Sequence, residues 1–385
     1  MIGRITAKAL VGVAALVLAG CGGNSLIRAD DAPSLETPLP DARVMEHWQT
    51  RVGAASVPYH RLELARIEDR LFAASSNGEV AAFDADTGES RWRQSLDVEI
   101  AGAVGAGDNL VAVGTADAEL LVLDAETGDP AWRTRVSSEV LAPPAVGQGS
   151  VVVRTADGGV FALDAADGEQ RWLYRRNVPA LSLQGHSAPV LVNNGVVAGF
   201  DNGRLSALDL VTGNPVWEAT VAVPEGRTDL ERMVDLDADP VVRGRDLFAG
   251  TYQGRLAGLA LSDGQVNWAR EVSVLGGLSV DENNLYATDD AGRVWAFDRR
   301  NGASVWRLDA LADIRLTAPV RYDDELVVGG SDGRLYWIDI RDGRLTARYE
   351  VGSNAIAAPP LVDEDKLYVL DLGGRLRALT IEQGN

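Results

Sequence analysis

The final copy of a repeat breaks off one strand short at Asn385, and a matching strand stands near the other end of the chain. The repeat is clearest from Asn77 to Arg93. It alternates apolar and polar residues, turns at Asp84-Ala85-Asp86-Thr87-Gly88, and alternates again into Trp92. That pattern predicts a β-hairpin whose Gly supplies a positive φ and whose Asp and Thr side chains bond the turn backbone. The frame recurs with Trp at 132, 172, 217, 268 and 306. Ala260 replaces the Asp in the fifth copy, and Ala347 replaces the Trp in the seventh. The eighth copy begins at Gly374-Arg375-Leu376 and reaches Gly384 without its Trp strand.

Glu46-His47-Trp48-Gln49-Thr50-Arg51 reads as a Trp strand with no hairpin before it. Placed after the eighth hairpin, it completes the set. A strand-only repeat of about 40 residues with a swapped end predicts a propeller, because radial closure removes exposed sheet edges. Two further strands precede each hairpin, as in Ala142-Pro143-Pro144-Ala145-Val146 followed by Ser150-Val151-Val152-Val153. Pro at such a strand start fits the innermost strand, which has one side unpaired. The expected fold is all-β: an eight-bladed propeller of four-stranded antiparallel blades over residues 44–385. Stacked units that pack only on their neighbours form a single domain despite the length.

The formal net charge is −20. It becomes −22 once Arg4 and Lys8 leave with the first 20 residues. An acidic surface argues against nucleic acid and against anionic headgroups; it serves solubility in a crowded compartment or, as the sharper reading, steering towards a basic partner.

Residues 1–20 carry those two cations and then an apolar run from Ala9 to Ala19, too short for a permanent span. Leu18-Ala19-Gly20-Cys21 closes the run, and Cys21 is the sole cysteine. The segment resembles the bacterial lipobox, which implies cleavage before Cys21 and lipidation of its thiol. Buried methylenes are worth about 0.8 kcal/mol each, so several acyl chains anchor firmly. Gly22 follows in place of Asp, which by the same sorting rule implies the outer membrane. Residues 21–43 read as a tether rich in Pro and Gly.

Catalytic signals are sparse. His47, His60 and His186 are the only histidines, and none has a ligand spacing to another His or Cys. No nucleophile elbow, Walker loop or dinucleotide fingerprint is present. The Asp-rich turn recurs in most blades and lacks the last Glu of a calcium loop, so it reads as scaffold. No metal or cofactor is expected.

The Ala-x-Asp-x-x-Thr-Gly-x-x-x-Trp frame resembles the repeat of pyrroloquinoline-quinone dehydrogenases. An oxidoreductase would need an adjacent Cys pair and a cap for the quinone, and this chain has neither. Lipobox, tether and compact ring together resemble the BamB family of outer-membrane assembly lipoproteins. The resemblance implies a non-enzymatic, periplasm-facing scaffold that docks on the POTRA domains of BamA within the assembly machinery. A propeller lipoprotein of another envelope complex is the alternative.

Successive Trp positions lie 40 and 40 residues apart, then 45 and 51, then 38. The extra length falls in two interblade segments, around 177–189 and 229–237. Long loops on a rigid scaffold carry recognition. The family resemblance implies that Leu181 and Leu183 supply apolar contact and that Asp235 and Asp237 supply acidic contact or loop support. Gln184 stands where the family commonly has Arg, which removes one charge-assisted contact. Outermost blade strands offer a second role, transient pairing with unfolded barrel precursors.

Overall fold

The computed structural model describes residues 43–53, 63–179, 181–183, 187–356 and 358–381. All regular elements among them are strands, arranged as eight four-stranded antiparallel sheets. The first blade shows the plan: Ala65–Ile67, Arg70–Ala74, Glu79–Asp84 and Ser90–Ser95, paired in that order from the innermost strand to the outermost. The sequence Pro residues lie just ahead of innermost strands. Pro144 precedes Ala145–Gly147, Pro189 precedes Val190–Val192 and Pro319 precedes Val320–Tyr322.

The eighth blade is built from both ends of the chain. Leu361–Asp363, Lys366–Leu370 and Arg375–Ile381 are followed in space by Val44–Arg51. The register runs from Val44 opposite Ile381 to Arg51 opposite Arg375, with a bulge between Glu46 and Trp48. The eight blades therefore close into a β-propeller.

The core lies between sheets, not within them. Eight apolar clusters each join two neighbouring blades; one of them packs Phe72, Val80 and Trp92 against Val111, Val113 and Leu123. Both faces of a middle strand are consequently buried, and the strands read as near-continuous apolar runs such as Val151-Val152-Val153.

A repeated lock fixes the angle between blades. Each outermost-strand Trp lays its indole over the turn Gly of the next blade. A Cβ on Gly88 would stand 2.5 Å from Trp48, and one on Gly264 would stand 2.4 Å from Trp217. The same glycines hold φ of +70° and +72°, so both conformation and clearance require Gly. Each indole N–H also donates to a turn carbonyl of that next blade: Trp92 to Ala125 at 3.1 Å, Trp172 to Leu210 at 2.8 Å and Trp306 to Ile340 at 2.8 Å. The indole thus buries area and satisfies its one donor in a single contact.

Inside the turn, the Asp84 carboxylate accepts from the backbone of Asp86 and Thr87 and from the Thr87 hydroxyl. Arg91 adds an ion pair and, as the largest influence, helps hold that carboxyl down at about 2. The turn Asp is structural, as the sequence indicated.

The junction between blades seven and eight lacks the lock, because Ala347 occupies the Trp position. There Trp337 is fully buried beside Leu367 and Val369, and the Tyr322 hydroxyl donates to the Asp365 carbonyl at 2.6 Å.

Trp48 closes the ring onto blade one, donating to Ala85 at 3.1 Å and packing 6.0 Å from the Tyr368 ring. Trp48→Ala is expected to cost roughly 3 kcal/mol, the low end for a buried Trp because this indole is only partly buried. Equilibrium urea denaturation measures it. An unchanged midpoint would contradict the role of this contact in closure.

Candidate functional site

Strands alternate direction, so the connections sort to two rims. The Asp-Thr-Gly turns, between third and fourth strands, occupy one rim. The interblade connections and the turns between second and third strands occupy the other. Val44, paired with Ile381, lies at the Asp-Thr-Gly rim. The N-terminal end of the closing strand therefore sits opposite the interblade connections.

Two connections exceed the repeat. Residues 176–189 join blades three and four, and residues 221–240 join blades four and five, against 96–104 and 136–144 at the preceding junctions. The structure brings the two together. The Leu183 N–H donates to Asp235 Oδ2 at 2.5 Å, and the Ala188 N–H donates to Asp239 Oδ1 at 2.6 Å. The Tyr252 N–H, from blade five, donates to the Asp235 carbonyl at 2.9 Å.

The two connections play unequal parts. Met233, Val234, Asp235, Leu236 and Ala238 are buried, with Leu236 packed in the cluster between blades four and five. Over this floor lies the shorter segment, whose Leu181 and Leu183 are 43% and 37% exposed. Leu side chains this open on a bonded loop are apolar surface held in place, not core. Val223 and Leu230, in the second connection, are also exposed. A local bond set fixes the chain there: Glu231 Oε2 accepts from the backbone of Arg227 and Thr228, and the Thr228 hydroxyl accepts from the Glu231 N–H. That is the reciprocal pattern of a capping box, readable as Thr228-x-x-Glu231, and it was missed in the sequence.

Leu181 and Leu183 face outward. Asp235 is buried and supports the loop through its bond to Leu183; Asp237, two residues on, is partly buried. Of the two roles considered for the acidic pair, Asp235 has the geometry of loop support. Gln184 and Cys21 lie outside the described residues. His47 meets Thr380 at 2.9 Å across the closing strands, while His60 and His186 lie outside the described residues. Among the described residues no group of three or more His, Cys, Asp or Glu could hold a metal ion.

Burial pushes the Asp235 carboxyl up to about 6, with the Asp201 charge adding to the effect. The Leu183 N–H and the Arg154 charge act the other way. Asp235 is thus a carboxylate kept ionised at neutral pH against its surroundings.

The chain matches the family described as outer membrane protein assembly factor BamB over residues 76–308 and 306–385. The chain belongs to the BamB family. A relative of that name from Alkalilimnicola ehrlichii is 50% identical over 98% of each chain. Those from Pseudomonas aeruginosa and Escherichia coli are 45% and 35% identical, over 95% and 94% of this chain and 97% and 96% of theirs. The crystal structure of BamB from Moraxella catarrhalis superposes with a TM-score of 0.81 at 28% identity, covering 88% of this chain and 99% of that one. A quinohemoprotein alcohol dehydrogenase from Comamonas testosteroni reaches a TM-score of 0.71 at 14% identity, covering 88% of this chain and 76% of that one. That second likeness is one of fold alone.

The raised value for Asp235 has a signed consequence. Its folded-state value lies above the ordinary 3.8, so its contribution to stability is fully present below about pH 4 and lost as pH rises through about 6. Asp235→Asn removes that dependence. Stability relative to wild type should then move in the variant's favour between pH 4 and pH 7, by at most about 3 kcal/mol. Urea denaturation at both pH values measures this, and a constant difference would contradict it.

Proposed function

We propose that this chain is a lipid-anchored, non-catalytic scaffold of the outer-membrane β-barrel assembly machinery, facing the periplasm and docking on the POTRA domains of BamA. Residues 1–20 act as the signal, Cys21 carries the lipid, and 21–43 tether the propeller. The observation that carries the docking surface is the bond from Leu183 to Asp235. It ties the two connections that break the repeat into one rigid platform and leaves Leu181 and Leu183 open.

The physics fits a small interface. A preorganised loop loses little conformational freedom on binding, so exposed leucines convert more of their buried area into affinity. A fully buried, bonded carboxylate contributes by holding the loop, and contact with BamA is assigned to Asp237, nearer the surface, and to Gln184. The acidic chain steers basic partner surfaces toward it. The outermost strand of every blade ends its sheet, an edge suited to brief pairing with extended barrel strands.

The test uses gently solubilised native envelopes. BamA should co-purify with the tagged wild-type lipoprotein and be lost from Leu181→Glu/Leu183→Glu, whose thermal unfolding should be unchanged because both side chains are exposed. Retention of BamA by that folded variant would remove these leucines from the interface. Absence of BamA from the wild type, with other envelope proteins in its place, would favour the alternative envelope complex.

A further inference from the structure

The first long connection departs from the repeat at its root as well as in its length. In five blades the residue after the outermost strand donates its N–H to the turn between second and third strands, and that residue is Val52, Leu96, Val136, Val221 or Val351. Each of these side chains packs in an apolar cluster between two blades. Blade three makes the same backbone bond, from Arg176 to the Gly158 carbonyl at 3.0 Å, but carries a charged side chain there. Blade four departs on its own outermost strand. One residue past the Trp position, four blades have Arg93, Arg133, Arg307 and Arg348, and blade four has Glu218.

These departures meet across the junction. The Tyr174 hydroxyl donates to Glu218 Oε1 at 2.7 Å and lies 3.3 Å from the Ser206 hydroxyl. It accepts from Arg176 Nε at 2.7 Å, and Arg176 forms an ion pair with Glu218. The guanidinium also lies 5.6 Å from the Tyr174 ring centre. The Tyr174 ring is in turn 6.1 Å from Phe200, which stands where blades one, two, three and five carry Ser75, Thr115, Thr155 and Thr251. Behind Phe200, Arg154 lies 5.6 Å from the ring centre and pairs with the buried Asp201. Blades three and four are thus tied from interior to surface at the point where the connection leaves.

We propose that Tyr174, Arg176 and Glu218 are positioning residues for the docking surface: a clamp between the outermost strands of blades three and four that fixes the direction in which the 177–183 segment leaves the ring. The proposal rests on the docking reading above for its biological readout; the clamp is a property of the isolated protein. Arg176 is the first residue of the connection, so the clamp acts on the segment by direct bonding. Val178 continues the anchorage, since a Cβ on Gly158 would stand 2.8 Å from it. Farther along, Asp235 holds Leu183 and Asp239 holds Ala188. The two leucines are carried on a span pinned at both ends, which is the preorganisation that lets exposed apolar groups bind tightly. The side chains of Arg176 and Glu218 are 25% and 35% exposed. A pair that open adds little to global stability, so its effect lies in the position of the segment and not in the melting temperature.

The experiment measures thermal unfolding, amide hydrogen exchange of 177–183 and BamA retention from gently solubilised envelopes, all with the full mature lipoprotein. Arg176→Glu, Glu218→Arg and Tyr174→Phe should each unfold at the wild-type temperature, because the side chains are partly exposed and Phe keeps the ring beside Phe200. Arg176→Glu and Glu218→Arg should speed exchange of the segment by about fivefold, the upper value for one open ion pair, and lower BamA retention. Tyr174→Phe, which removes only the shared hydroxyl, should do the same to a lesser degree. The charge-swapped double variant Arg176→Glu/Glu218→Arg should restore both readouts. Wild-type exchange in the two single charge variants overturns the proposal. So does a double variant no better than the single ones, or fast exchange with full BamA retention. If the wild type retains no BamA, the docking reading fails, and exchange in the single and double variants alone decides this one.

Discussion

Everything in this propeller depends on the contact of one indole with one glycine. A four-stranded sheet cannot bury both of its faces alone. Its neighbours must sit at a fixed angle and distance for eight of them to close. The Trp-on-Gly contact sets both. The ring packs where a side chain would collide, as a Cβ on Gly128 would stand 2.6 Å from Trp92. The N–H bond to the adjoining carbonyl then fixes the rotation of the indole. Blade-to-blade geometry is thereby written into two residues per repeat, and the buried valines and leucines need only fill the space between.

Closure by the chain's own ends follows from the same contact. Trp48 is the lock between the last blade and the first, so the strand that carries it must come from the N-terminal side of blade one. Pairing Val44–Arg51 with Arg375–Ile381 makes ring closure a matter of long-range contact. Blades one and eight are further joined by Arg66 with Asp363 and by Lys366 with Asp86 at 2.5 Å in each case. These pairs are partly exposed and contribute modestly; the apolar cluster of Leu71, Phe83, Leu370 and Leu376 supplies most of the closing energy.

The surface proposed for recognition lies in the part of the ring where the repeat is least regular. A perfect repeat presents eight equal junctions and no preferred partner site. Two elongated connections at blades three to five break that symmetry, and they are rigid because one lies buried under the other. Arg154, Phe200 and Asp201 break it again in the interior. Departures in loop length, in turn sequence and in buried charge converge on one sector of one rim, opposite the rim where Val44 begins the closing strand.

The repeat, its eight copies, the swapped closing strand and the two long connections were all legible in the sequence, because each rests on local periodicity and spacing. The structural character of the Asp turn was legible for the same reason. The burial of Asp235 was not. Asp235 and Asp237 alternate in an acidic segment for which contact and loop support were both open, and only the overlay of 181–183 on 233–238 shows which carboxylate turns inward. The burial of Trp337 opposite Ala347, where the lock is missing, was equally hidden, since it draws on a neighbouring strand. The fold follows from residue order alone, because hydrophobic alternation and turn chemistry are short-range and repeat along the chain. Which irregular residues meet is settled by packing, because Leu183 and Asp235, like Arg154 and Asp201, lie on separate connections and blades that the chain brings together only when the ring has formed.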